Sequence, residues 1–254
     1  MIIETPKQTD IPALRTLWKQ AFGDTDAFLD TFFATAFSPD RSLLARTDGM
    51  VVGMLYWFDC SYEDQKIAYL YAIATHSSYR GRGICHGLMD ATHRLLAERG
   101  YAGIILVPAE AHLFDFYGRM GYITCSHNSI LKCTAENGAP LEMHIISATE
   151  YAARRTRLLP PQSVLQEGEN LAFLQTLATF WQGEDFLLSV RKDSTELFGL
   201  ELLGNTALAP RIVKMLGFEE GCFRIAGQST PFAMFLSLNG KTASLPHYFA
   251  FAFD

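Results

Sequence analysis

Arg80-Gly-Arg-Gly-Ile-Cys85 is the stretch of this chain whose residue types and spacing best suit holding an anion. It lies between an apolar run, Tyr69-Leu-Tyr-Ala-Ile-Ala-Thr75, and a helical pattern that reaches Met89 and beyond, so it reads as strand, turn, helix. Gly81 and Gly83 let backbone approach a ligand closely, and Arg80 and Arg82 add positive charge. The helix that starts here points free amides and its positive dipole end at whatever lies in front. A pyrophosphate suits such a turn, which implies a nucleotide-type cofactor.

The other residues able to do chemistry are scattered. Cys60, Cys85, Cys125, Cys133 and Cys222 form no CxxC pair and are expected as reduced thiols. The seven histidines form no set with metal-ligand spacing, and His86 and His93, which share a helix face, lack a third ligand; no metal is expected. A net charge of −6 argues against a nucleic-acid partner, which calls for a basic face. Hydrophobic residues make up 49% of the 254, enough for real cores, yet no run of about 18 apolar residues suggests a membrane span. With no basic-then-apolar leader at Met1, a soluble cytoplasmic protein without a membrane partner is expected. The oligomeric state stays open, a homodimer being one option.

The elements that must position the turn can be read in order. Helices are expected over Thr9–Phe22, ended by Gly23, and over Thr25–Phe37, ended by Ser38-Pro39-Asp40. Strands follow at Ser42–Arg46 and Met50–Asp59 around Asp48-Gly49, a hairpin signal, and then at Ile67–Ala74. The helix after the turn places Ile84, Leu88, Ala91 and Leu95 on one face and ends at Arg99-Gly100. Gly103–Val107 reads as a buried strand, Glu110–Met120 as a helix, and Tyr122–Cys133 as two short strands around His127-Asn128. The fold class is α/β, with an α+β mixed sheet. Residues 1–134 are expected as one domain, 135–140 as a linker and 141–254 as a second domain. In the second, a strand at Leu141–Ile146, helices at Thr149–Leu158 and near Asn170–Phe180, and a closing strand at Tyr248–Phe253 are expected. Phe116-Tyr-Gly-Arg-Met-Gly-Tyr122 has a counterpart in Ile212-Val-Lys-Met-Leu-Gly-Phe218, 96 positions on, which suggests a duplication.

These residues together resemble the GNAT N-acetyltransferases. Arg80–Cys85 is similar to their RxxGxG/A signature, Phe116–Tyr122 to their FYxxxGF segment, and the element order from Thr9 to Cys133 to theirs. Cys85 departs from the pattern, which has glycine or alanine there. The resemblance implies acetyl-CoA as cosubstrate. Its pantetheine arm would run along Tyr71 to Thr75, against Ala72, Ile73 and Ala74, and its pyrophosphate would rest on Arg80, Gly81, Arg82, Gly83, Ile84 and Cys85. It also implies Tyr117 as the acid that protonates the departing sulfur, since a phenol can share its proton with a forming thiolate. The acceptor would be an amine of a small molecule or peptide, attacking directly. Glu110, His112, Asp26, Glu63 and Asp64 are open choices for the base, and Trp57, Phe58, Tyr69 and Tyr71 for the lining of the acceptor pocket. The second domain reads as a degenerate GNAT-like copy, with Val213 where the first has Tyr117. That is similar to enhanced-intracellular-survival type tandem proteins without their lipid-carrier-like domain, and it suggests Asp254 as a terminal carboxylate near the chemistry. A non-catalytic acyl-CoA sensor and an aminoacyl transferase are the alternatives.

Overall fold

The computed structural model describes residues 1–166, 168–191, 195–240 and 244–252. Packing divides the chain into two compact units, residues 1–106 with 236–243 and residues 107–235 with 244–254. The division at 106/107 groups residues by packing and falls inside the span 1–134 expected as one domain.

In the first unit, β1 (Ile2–Glu4), β2 (Ser42–Thr47), β3 (Met50–Tyr62), β4 (Gln65–Thr75) and β5 (Gly103–Leu106) make a mixed sheet in that order. The first four pair antiparallel and β4 pairs parallel with β5, a connection that requires the crossover supplied by α3 (Ile84–Glu98). Asp48 and Gly49 both take positive φ, 50° and 81°, which is the backbone a two-residue hairpin needs. Glu63 and Asp64 form a second such turn. α1 (Ile11–Phe22) buries Leu14, Leu17 and Trp18, and α2 (Asp26–Thr35) starts where the Phe28 amide donates to Thr25 Oγ1 at 3.2 Å. α3 buries Ile84, Leu88, Met89, Thr92 and Leu96, so the expected face through Ala91 and Leu95 is rotated by one position. Thr92 is tolerated inside because its hydroxyl donates to the Leu88 carbonyl at 2.8 Å.

The second unit contains α4 (Ala111–Gly118), β6 (Ile123–Thr134), β7 (Met143–Ile146), α5 (Ala148–Leu158), β8 (Leu165–Gln166), α6 (Glu169–Leu177), β9 (Ala178–Gly183), β10 (Phe186–Arg191), β11 (Leu197–Gly204), α7 (Ala209–Met215), β12 (Glu220–Ala226) and β13 (Thr230–Ser237). Its sheet runs β7-β9-β10-β11-β12-β6-β13. Three sequence expectations are corrected here. β6 is one strand rather than two, because β12 pairs with its second half and β13 with its first, and this partner ladder carries the backbone straight through His127-Asn128. α6 stops at Leu177, since Ala178 to Phe180 already pair in β9. Tyr248 to Ala252 forms no regular strand. Both sides of it are buried, and side chains hook its backbone: the Phe249 amide donates to Ser126 Oγ at 3.3 Å, Arg224 donates to the Ala250 carbonyl at 2.9 Å, and Gln166 to the Phe251 carbonyl at 2.9 Å. Phe253 and Asp254 lie outside the described residues.

A buried charge network locks this unit. Arg155 donates twice to Glu201, at 2.8 and 2.9 Å, while Tyr151 and Tyr248 donate to the same carboxylate at 2.8 and 2.9 Å. Burial pushes both tyrosine pKa values well up. They remain neutral donors.

The two units run through one series of elements. β1-α1-α2-β2-β3-β4-α3-β5 is matched by β7-α5-α6-β9-β10-β11-α7-β12, apart from the short β8, and each series closes on a parallel pair. This relocates the expected repeat. Its two segments end α4 and α7, whereas α7 stands where α3 stands. What they share is a helix ending: Gly121 and Gly217 take φ of 90° and 82°, and the amides of Tyr122 and Phe218 donate five residues back, to Tyr117 and Val213, at 3.2 and 3.1 Å. Such endings recur wherever glycine closes a helix, so they do not register a duplication. Val213 is therefore not the positional counterpart of Tyr117.

Candidate cofactor site

β4 is interrupted where the sequence places the ligand. Its pairing with β3 runs from Gln65 to Tyr71 and resumes at Ala74, so Leu55 of β3 stands opposite both Ala72 and Ile73. Ala72 absorbs the extra residue at φ 54°, a left-handed conformation that costs an alanine about 1 kcal/mol. Parallel pairing with β5 involves Ile67 to Leu70 and stops there among the described residues. Tyr71 to Thr75 thus presents a backbone edge on the β5 side that an extended ligand can meet as a strand would.

The turn that follows is tied down at several points. The His76 amide donates to the Val52 carbonyl at 2.9 Å, the Ser78 amide to His76 Nδ1 at 3.2 Å, and the Gln20 side chain to Ser77 Oγ at 2.9 Å. Arg80 Nε reaches back to the Thr75 carbonyl at 3.4 Å, and the Arg82 guanidinium lies 4.9 Å from the Tyr79 ring centroid. Gly81 and Gly83 take φ of 73° and 74°, and no atom stands near where a side chain would begin. Glycine is needed there for the backbone angle. No side chain caps α3 at Gly83, and the first bond closing its opening turn is from the Gly87 amide to the Gly83 carbonyl at 2.9 Å. The amides of Ile84, Cys85 and His86 consequently have no acceptor within the helix. Burial pushes the Cys85 thiol up to about 11, so it stays neutral and sets no negative charge beside an anion. These groups fit a pyrophosphate.

A residue not singled out from sequence supports the turn. A side chain on Gly53 would meet Ile84 Cγ2 at 3.0 Å and Ala45 Cβ at 3.3 Å, so glycine lets the first turn of α3 rest on β3. A lone glycine inside an apolar strand is the signal that points to such an approach.

The other expected residues separate. Ala72, Ile73, Ala74 and Arg80 to Cys85 come together along one strand, turn and helix. Tyr117 belongs to the second unit, on α4, where it is buried between Phe116 and Tyr122 with ring centroids 5.2 and 5.9 Å away. Glu63 and Asp64 precede β4 while the turn follows it, so eleven strand residues, about 30 Å, separate them from the turn. Asp26 is held by Lys19 at 2.9 Å and by Arg15, which keeps its carboxyl below the usual range. Glu110 and His112 pair with each other at 3.2 Å. Trp57, Phe58 and Tyr69 are core residues, and Tyr71 alone of the four expected aromatics is half exposed. Among the described residues no cluster could hold a metal, and no helix is long and apolar enough to cross a membrane.

Residues 3–125 match the family model of the acetyltransferase (GNAT) domain. No curated protein matches the chain. Solved structures share its fold: a GCN5-related N-acetyltransferase from Anabaena variabilis is 12% identical, with a TM-score of 0.74 over 94% of this chain and 73% of that one. A GCN5-related N-acetyltransferase from Kribbella flavida is 14% identical, with a TM-score of 0.70 over 92% and 70%. Eis1 from Mycobacterium abscessus is 15% identical, with a TM-score of 0.66 over 94% and 74%. At such identities these likenesses concern the fold. With its motif, its element order and the family match in agreement, residues 3–125 are a domain of the GNAT acetyltransferase family.

Proposed function

We propose that this protein is an N-acetyltransferase that carries acetyl from acetyl-CoA to an amine by direct attack, without a covalent enzyme intermediate. The observation that carries the reading is continuous: the bulge at Ala72 and the uncovered edge of β4 lead straight into the uncapped amides at the start of α3. Ala72, Ile73 and Ala74 would pair with the pantetheine arm, and Arg80, Gly81, Arg82, Gly83, Ile84 and Cys85 would hold the pyrophosphate. When bound, the cosubstrate supplies an activated thioester carbonyl. Tyr117 would donate its proton to the sulfur as the carbon–sulfur bond breaks. Residues 1–134 would form the catalytic domain and 141–254 a degenerate copy of it.

Acetyl-CoA binding measured by calorimetry, alongside thiol release across a panel of amines, tests this. Micromolar binding with amine-dependent thiol release is expected. Tight binding with no thiol release from any amine would favour an acyl-CoA sensor and overturn the enzymatic reading.

A further inference from the structure

Arg82 stands in the turn after β4 between Gly81 and Gly83, and all three residues are exposed. Both glycines take positive φ and lack a Cβ, so neither neighbour steadies the backbone of Arg82 by packing. A long side chain in such a place has much rotamer freedom to lose before it can hold a ligand. Its guanidinium carbon lies 4.9 Å from the centroid of the Tyr79 ring, within reach of the attraction between a cation and a ring face. Among the described residues the Arg82 guanidinium meets no carboxylate and donates no hydrogen bond. Arg80 differs, because its Nε donates to the Thr75 carbonyl at 3.4 Å and ties the turn to the end of β4.

Tyr79 is itself fixed. Its amide donates to the His76 carbonyl at 2.8 Å, its ring meets the His76 ring edge-on at 5.5 Å, and its hydroxyl lies 4.0 Å from the Met50 sulfur. His76 is anchored in turn, its amide on the Val52 carbonyl at 2.9 Å and its Nδ1 by the Ser78 amide at 3.2 Å. The ring is therefore built into the turn. A carboxylate would also hold an arginine, but it would cancel the charge and occupy the N–H fork. An aromatic ring holds the cation through its quadrupole and uses none of its five donors. Charge and fork both stay available to a phosphate.

We infer that Tyr79 is a positioning residue for the cosubstrate: its ring holds the Arg82 guanidinium in the turn with every N–H group left for the pyrophosphate. The inference rests on the acetyl-CoA reading, and it gives a role to a residue outside the glycine motif. Ordering the arginine before the ligand arrives lowers the entropy lost on binding.

The test is a double-mutant cycle read by calorimetry, with CoA as the probe. Arg82→Ala should weaken binding about tenfold, the scale of one charge-assisted hydrogen bond. Tyr79→Leu should weaken it about fourfold in the parent chain and no further in an Arg82→Ala background. Tyr79→Phe keeps the ring and should bind as the parent does. Added salt should shrink the Arg82→Ala and Tyr79→Leu losses together, since both act through one charge. The same losses are expected with 3′-dephospho-CoA; their disappearance would put the arginine on the 3′-phosphate and overturn the pyrophosphate assignment. A Tyr79→Leu loss that persists without Arg82, or that ignores salt, would make the ring a support for the turn alone and overturn the inference, leaving the acetyl-CoA reading in place. Failure of the parent chain to bind CoA would overturn both.

Discussion

Two turns of this molecule leave a parallel strand for a helix, and they differ in what they do with their amides. After β4, Gly81 and Gly83 supply the left-handed angles, no side chain caps the helix, and α3 runs fifteen residues. After β11, a short 3-10 turn at Thr206–Leu208 comes first: the Asn205 side chain accepts from its Ala207 amide at 3.2 Å, the Ala209 amide donates to the Thr206 carbonyl, Pro210 removes another donor from an α7 that also has no side-chain cap, and α7 ends after seven residues. The first turn leaves its opening amides without an acceptor in the helix; the second has bonded one, at Ala209, and lost another to Pro210. The same series of elements therefore gives one helix start whose geometry suits a pyrophosphate and one with fewer amides to offer. The middle of β11 is likewise committed to structure, since Glu201 anchors Arg155, Tyr151 and Tyr248, whereas β4 bulges at Ala72 and leaves its backbone edge open.

The largest expected effect breaks the structural side of this contrast. Glu201→Gln leaves Arg155 buried without its counter-charge and should cost about 3–5 kcal/mol in chemical denaturation. A loss under about 1 kcal/mol would show that water reaches the network. Next comes the pair of matching helix endings. Tyr117→Phe should lower kcat about a hundredfold with acetyl-CoA affinity unchanged, because a phenyl ring keeps the packing and loses the proton. An equal fall in affinity would assign Tyr117 to packing. Val213→Ala, at the other ending, should cost stability at its buried site and leave kcat as it is.

Transplanting one turn into the other sharpens the contrast. Cys85→Pro places a proline where α7 carries Pro210; the helix tolerates it in the first turn, but one free amide disappears. Calorimetry should show acetyl-CoA binding weakened about tenfold, the scale of one charge-assisted hydrogen bond, with the melting temperature little changed. Unchanged binding would mean that the arginines, and not the amides, hold the pyrophosphate. The smallest effect is at the closed turn. Asn205→Ala removes the cap and should cost about 1 kcal/mol of stability without altering acetyl-CoA affinity.

Much of the first turn was legible before any coordinates. Gly81, Gly83 and the helical spacing from Ile84 announce themselves, because backbone angle and amphipathic period are local properties. The bulge at Ala72 was not, since an alanine in an apolar run gives no sign of a positive φ; only its pairing with β3 imposes one. The aromatics were sorted in the same way. Trp57, Phe58, Tyr69 and Tyr71 all lie in apolar strand runs, and burial separates Tyr71 from the rest.

The duplication shows where local reading ends. Two glycine-closed helices suggested a repeat at 96 positions, but strand order and the direction of pairing assign α7 to the place of α3. By itself the sequence determined most of the elements, the hairpin at Asp48-Gly49, the glycine turn before α3 and the family of residues 3–125, because each depends on residues close together along the chain. The tertiary structure decided which strand edge stays open, which aromatics are buried, and which elements correspond between the units. Those follow from partners distant in sequence, and a ladder or a packed ring is specified only when both sides are in place.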